Sequence, residues 1–148
     1  KNTNFQKLSL ELSNLGSKMI LKSLELIENE QEKFIPQDER YASYAKKISK
    51  DEAKIDWKTS AEKIVAMINA LHLSPGAWFN YEGSRIKILK AKEVEHKGRA
   101  GEIIDKNFTI ACEKKSIQIL EIQKEGKQKM NINEYLRGNT LKIGYIID

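Results

Sequence analysis

The stretch AWFNYEGSRIKILKA, residues 77–91, decides the fold. Its apolar and polar side chains alternate with a period of two, as in an extended chain whose successive side chains point to opposite faces. Glu82 and Gly83 break the run with a turn signal, which predicts two strands joined tightly. Within RIKILKA (85–91), Ile86 and Ile88 fall on one face and Arg85 and Lys87 on the other. One strand can therefore feed a core and show cations outside.

The pattern continues downstream in GEIID (101–105), FTIAC (108–112) and SIQILEIQ (116–123). Turn signals at 97–99, 106–107 and 113–115 separate these β-branched and aromatic runs. Five short strands over 77–123 predict a small antiparallel barrel with Ile86, Ile88, Ile110, Ile117 and Ile119 in its core. Asn131 is a good N-cap for a short helix to Leu136, with Gly138 as its stop, and LKIGYII (141–147) reads as a last extended segment. Trp57, Trp78, Phe79 and Tyr81 could offer a base-stacking platform. Core packing is the preferred reading of the tryptophans, because Trp78 and Phe79 adjoin the turn at Pro75 and Gly76.

Upstream, Thr59 with Glu62 three residues on opens a helix carrying Ile64, Met67, Ile68 and Leu71 on one face, and 74–76 stop it. Residues 29–54 lose this periodicity around Pro36 and read as an extended linker, whose tyrosines and Ile48 are expected to lie against a domain surface. From Thr3 to Glu28, Leu8, Leu12, Leu15, Met19, Ile20, Leu24 and Ile27 advance in steps that lay a stripe along one helical face. Thr3 and Gln6 form a capping-box pair, and Gly16 is expected to mark a close packing contact. Such a helix cannot bury its stripe alone.

Charge is unevenly placed. Residues 1–46 hold seven basic and seven acidic side chains, whereas 47–148 hold nineteen and fourteen. That excess suits an anionic partner, although a lysine-rich coding bias, with 22 of 26 basic residues being Lys, would produce the same excess. Residues 84–99 contain six basic and two acidic side chains, and Lys124, Lys127 and Lys129 surround Gly126 in a turn. Either group is a candidate phosphate-binding surface or a solvated face.

Residues in a catalytic arrangement are nearly absent from the sequence. His72 and His96 stand in no metal or nucleophile spacing, Gly98 and Gly101 open no phosphate loop, and no carboxylate pair sits in an apolar setting. Cys112 allows no internal disulfide and reads as a buried strand thiol. No apolar run approaches the roughly 18 residues that a membrane span needs. With Lys1 first and no secretory pattern, the sequence is expected to be a fragment of a cytosolic protein that catalyses nothing by itself.

The segments PQDERYASYAKKISKDEAKIDW (36–57), SAEKIVAMINAL (60–71), SPGAWF (74–79), RIKILKA (85–91), LEIQKEGKQKM (120–130) and YLRG (135–138) resemble, in order and spacing, the carboxyl-terminal region of methionyl-tRNA formyltransferases. The most specific are IDW at 55–57, PGA at 75–77 and the set Gln123, Gly126 and Lys127. Two departures stand out: Lys46 occupies a position where the family usually has proline, and His72, Leu73 and Ser74 replace a common Asn-Pro-Trp.

The resemblance implies an α+β, mostly β fold: an OB-like barrel at 55–148, a linker at 35–54, and the terminal helix of a missing catalytic domain at 1–34. It implies a module that helps hold initiator methionyl-tRNA while the catalytic domain formylates its amino group from 10-formyltetrahydrofolate, in the cytoplasm and without a membrane. Catalytic and folate-binding groups would lie upstream, and no cofactor or metal is expected on this chain. The residues expected to meet RNA are Lys46, Lys47, Arg85, Lys87, Lys90, Lys124, Lys127 and Lys129. Alternatives are the barrel of a related sugar-nucleotide or folate formyltransferase-type enzyme, or a stand-alone RNA-binding module.

Overall fold

The structure, a computed structural model, describes residues 3–147. It divides into two compact units, one ending at Lys47 and one beginning at Ile48.

The first unit contains helix α1, Phe5–Glu28, and a single 3-10 turn, Glu39–Tyr41. The expected Thr3 cap is not the one used. Asn4 caps the helix instead, its side-chain oxygen accepting the Lys7 N–H at 3.0 Å. Asn reaches the free amides of a first turn as well as Thr does, and it stands one residue later. No residue of α1 is buried. Gly16 does not mark a close contact either, since a Cβ there would meet nothing within 4 Å. Tyr41 and Tyr44 are 83 % and 94 % exposed.

The second unit is the expected small α+β barrel, a curled antiparallel sheet with two short helices. Helix α2 is Ala61–Ala70 and strand β1 Trp78–Tyr81. Strand β2 is Ser84–Val94, β3 Thr109–Ala111, β4 Ser116–Lys124 and β5 Lys129–Asn131, and helix α3 is Ile132–Gly138. The strands run β1-β2-β4-β3, with β5 also paired to β4. The N-cap of α2 is Ser60 rather than Thr59, whose carbonyl instead accepts the Glu113 N–H at 3.2 Å. At α3 the expected Asn131 cap forms, completed by Glu134 as a capping box.

One expected strand is missing and one unexpected strand takes its place. Residues 101–105 make only isolated bridges, Glu102 to Ile146 and Ile103 to Ile110, while the fifth strand is β5. The hairpin turn between β4 and β5 hides β5 in the sequence, because its three residues KMN are too few to show alternation. The segment at 143–147 runs beside 101–103, with Ile103 N–H donating to Tyr145 O and Ile147 N–H to Gly101 O, each at 2.9 Å. Its other side reaches β1 through side chains. Tyr81 Oη accepts the Lys142 N–H at 3.1 Å, Tyr81 and Tyr145 stack edge to face at 5.7 Å, and Lys142 pairs with Glu82 at 2.8 Å. The tail thus spans the opening between the two margins of the curled sheet.

All five expected core isoleucines are at most 1 % exposed, packed with Phe79, Phe108, Ile103 and Ile122 and with Ile64 and Ile68 of α2. Trp57 joins this core, edge-on to Phe79 at 5.5 Å. Ile122 and Ile119 are both fully buried although three residues apart, which strict alternation forbids. The register is correspondingly irregular on both sides of Lys90, between the pairs Ile88 to Ile122 and Ala91 to Ile119. Such irregularities bend strands and re-aim side chains, which lets β2 and β4 curl around one core.

Candidate nucleic-acid interface

The outward face of the sheet follows from its register. Trp78 pairs with Lys87, Lys87 with Gln123, and Gln123 with Lys129. Cross-strand partners share a face, so these four side chains form one row across β1, β2, β4 and β5. The next row inward, Phe79, Ile86 and Lys124, begins with two buried residues. The pleat therefore puts Trp78, Arg85, Lys87, Gln123 and Lys129 on the solvent side.

Trp78 is accordingly a surface residue and not a core one. It is absent from the core cluster, its indole N–H donates to Lys50 O at 2.7 Å, and the Arg85 guanidinium lies 4.6 Å from its ring centroid. Lys87 is held in place from two directions. Its stem crosses Gly76, where a Cβ would come 2.9 Å from Lys87 Cδ, and its ammonium donates to Leu73 O at 3.2 Å. Gly76 has φ +79, so glycine meets both the conformational and the steric need. His72 ties the same turn to β2. Its Nδ1 lies 3.2 Å from Leu89 O and must carry the proton, because a carbonyl only accepts. The departure at 72–74 thus supplies a turn bonded to the strand that bears the cations.

The hairpin between β4 and β5 is fixed by Gln123, whose amide donates to Lys127 O at 3.0 Å, and by the Lys127 N–H donating to Lys124 O at 3.0 Å. Gly126 takes φ +71 in that turn. Lys127 and Lys129 are exposed, whereas Lys124 shares its face with Ile86 and is half-buried at the end of the core side. Lys90 stands opposite Glu121 in the register. Lys46 and Lys47 are exposed residues of the first unit. The structure therefore brings Arg85, Lys87 and Lys129 together on one face, with Lys127 at its rim, and sets Lys124 on the other side of the sheet. Gln123 and Trp78 were not read as parts of this face, though each stands at an even step from a cation in its own pairing.

On the second unit two cations are taken up by carboxylates. Lys115 is held by Glu93 and Glu95, which raise its pKa, and Lys142 by Glu82, which does the same. Among the described residues none of Arg85, Lys87, Lys127 and Lys129 forms an ion pair. The chemistry open to a face of unpaired cations around one aromatic ring is contact with phosphate groups rather than base reading. Also among the described residues, no group of three His, Cys, Asp or Glu side chains could hold a metal ion, and no helix is long and apolar enough to cross a membrane.

Comparison with known proteins agrees with this architecture. Methionyl-tRNA formyltransferase of Pelagibacter ubique is 41 % identical over 139 residues, covering 93 % of this chain and 45 % of that protein. The enzymes of Rhodopseudomonas palustris and Rickettsia bellii are 35 % and 36 % identical, covering 92 % and 93 % of this chain and 45 % of each relative. The chain thus spans less than half the length of these curated relatives. HypX from Aquifex aeolicus, solved in complex with tetrahydrofolic acid, shares the fold with a TM-score of 0.66 at 21 % identity, over 80 % of this chain and 22 % of that one. The family model for the formyl transferase C-terminal domain matches residues 47–140, and the chain belongs to that family.

Proposed function

We propose that this chain is the tRNA-binding carboxyl-terminal part of a methionyl-tRNA formyltransferase. The observation that carries the reading is the identity of 35–41 % to enzymes of that name along more than nine-tenths of the chain. The face of uncompensated cations supports it and favours tRNA over the sugar-nucleotide alternative, whose small substrate needs no such surface. In this reading residues 55–148 are an OB-like tRNA-binding domain, 48–54 pack into the same unit, and the linker of 35–54 is reduced to 35–47. The segment 1–34 carries α1 as the last helix of a catalytic domain, whose contact with it would cover Leu8, Leu12, Leu15 and Met19. Those side chains are 47–61 % exposed here, which argues against a stand-alone module.

The whole enzyme would formylate the amino group of initiator methionyl-tRNA in the cytoplasm, with 10-formyltetrahydrofolate as co-substrate held by the catalytic domain. No residue of this chain is assigned to that transfer, so the isolated chain should show no turnover. Binding is the direct test, by titration of tRNA at several salt concentrations. Neutralising about three to five phosphates gives a slope of log affinity against log salt of roughly −2 to −4. Lys127→Glu should lower both slope and affinity for every tRNA alike, and Lys7→Glu on α1 should change little. Equal effects at the two positions, or an affinity indifferent to salt, would remove the tRNA assignment.

A further inference from the structure

The row on the outer face does not end at Trp78. Lys54 forms a parallel bridge with Trp78, the Ile55 N–H donating to Trp78 O at 2.8 Å and the Trp78 N–H to Ala53 O at 3.0 Å. Residues 53–57 alternate strictly, with Ala53, Ile55 and Trp57 buried and Lys54 and Asp56 exposed. Lys54 is therefore on the same side as Trp78, and the row reads Lys54, Trp78, Lys87, Gln123, Lys129 across five chain segments.

We propose that this cross-strand row is a track for one RNA backbone, running perpendicular to the strands, with Lys54 as an RNA-binding residue at its end. The inference rests on the tRNA reading above and specifies how that ligand lies.

Neighbouring strands are about 4.8 Å apart, so Lys54, Lys87 and Lys129, on alternate segments, recur at about 10 Å along the row. That spacing exceeds the screening length of about 8 Å at physiological salt, so each ammonium draws its own phosphate without strongly opposing the next. The uncharged positions between them, Trp78 and Gln123, are both hydrogen-bonded to backbone carbonyls, at Lys50 and Lys127, and keep the surface level between cations. Arg85 on the Trp78 ring adds a fourth charge beside the row. A path along β2 is the competing geometry. It meets Glu121 opposite Lys90, then Glu93, which is engaged with Lys115. Of the carboxylates near Lys54, Asp56 accepts the Lys58 N–H at 2.9 Å and Glu52 the Ser49 N–H at 2.7 Å, each held by its own turn.

The test compares Lys54→Gln and Lys129→Gln with Lys92→Gln, an exposed residue of β2 outside the row. All three are exposed lysines, and circular dichroism checks that each variant folds. The probe is one transcribed tRNA titrated onto the 148-residue chain at several salt concentrations. Each row variant should lower the salt slope by about 0.7–0.9 and the double variant by about twice that, while Lys92→Gln leaves it unchanged. Binding that is salt-dependent but unaffected by Lys54→Gln, or equally affected by Lys92→Gln, overturns the track and leaves the tRNA reading in place. A wild-type chain that does not bind the tRNA at all removes both.

Discussion

The Arg85 guanidinium stacks over the Trp78 ring, its central carbon 4.6 Å from the centroid, although the two residues sit on different strands and out of direct register. The contact rigidifies a cation that would otherwise wave in solvent, and it accounts for an aromatic ring on an otherwise charged face. Such a pair contributes about 0.5–1 kcal/mol at an exposed site. Arg85→Ala should therefore lower stability by about 1 kcal/mol, a shift of about 4–8 °C in Tm for a domain of this size. Arg85→Lys should recover only part of the loss, because an ammonium lacks the planar surface that stacks. Thermal melts of the two variants decide this, and equal melting temperatures for wild type and Arg85→Ala would remove the contact from the account.

Gly101 and Gly16 make opposite predictions. Gly101 has φ +85 and is buried, and an added Cβ would collide with Ile147 O. Gly101→Ala should cost more than the 1–3 kcal/mol typical of a strained backbone alone, because the 143–147 segment must also move. Gly16 lies in α1 with open space around it, so Gly16→Ala should raise the helicity of this chain, by about 1 kcal/mol of helix propensity. In a longer protein carrying a catalytic domain, loss of that gain would locate a covering surface at Gly16. Urea titrations and far-ultraviolet dichroism measure the two effects.

Cys112 is 3 % exposed, and burial pushes its thiol up to about 11 from 9.0. A raised pKa means that the neutral form is the one the fold favours. The associated stability is complete below pH 9 and is lost as pH rises through about 11. The stability of the wild type relative to Cys112→Ala should thus be flat from pH 6 to 8 and fall above pH 9. At neutral pH the native thiol should resist alkylation until the chain is unfolded, and rapid labelling of folded protein would contradict its placement.

Tyr81→Phe removes the acceptor of the Lys142 N–H while keeping the ring against Phe108 and Tyr145. The loss should be about 0.5–1.5 kcal/mol, the net value of one hydrogen bond. The effect should appear in hydrogen exchange at Lys142 before it appears elsewhere. Uniform change across the barrel would mean that Tyr81 acts through the core instead.

Most of the barrel's strands were legible because Ile86 and Ile88, and Ile117 and Ile119, repeat at two residues and the turns carry their own signals, as at Glu82 and Gly83. The pairing was not. Nothing in KMN or in GEIID says which of them joins the sheet, since register depends on partners far away in sequence. The helices at Thr3 and Thr59 begin one residue later than those threonines suggest: Asn4 accepts the Lys7 N–H in place of Thr3, and Ser60 holds the cap position of α2 without a side-chain bond. For the site, Arg85, Lys87 and Lys129 could be named from alternation and charge, but not their alignment with Trp78 and Gln123, which exists only across strands. Lys54 was passed over because AKIDW alternates for just five residues, inside a stretch that otherwise reads as linker.

The bond from Tyr81 to Lys142 joins positions 61 apart, whereas the turn at Glu82 and Gly83 joins β1 to β2 at once. Closing a loop costs entropy that grows with the logarithm of its length, so short-range hairpins are favoured early and the tail's crossing late. The barrel is thus a sheet that assembles by neighbours and is sealed by a strap laid on afterwards. Protection should grade accordingly: amides of Ile88 and Ile119 should exchange only on global opening, and those of Ile103 and Ile147, which share their bonds with the strap, at a lower free energy.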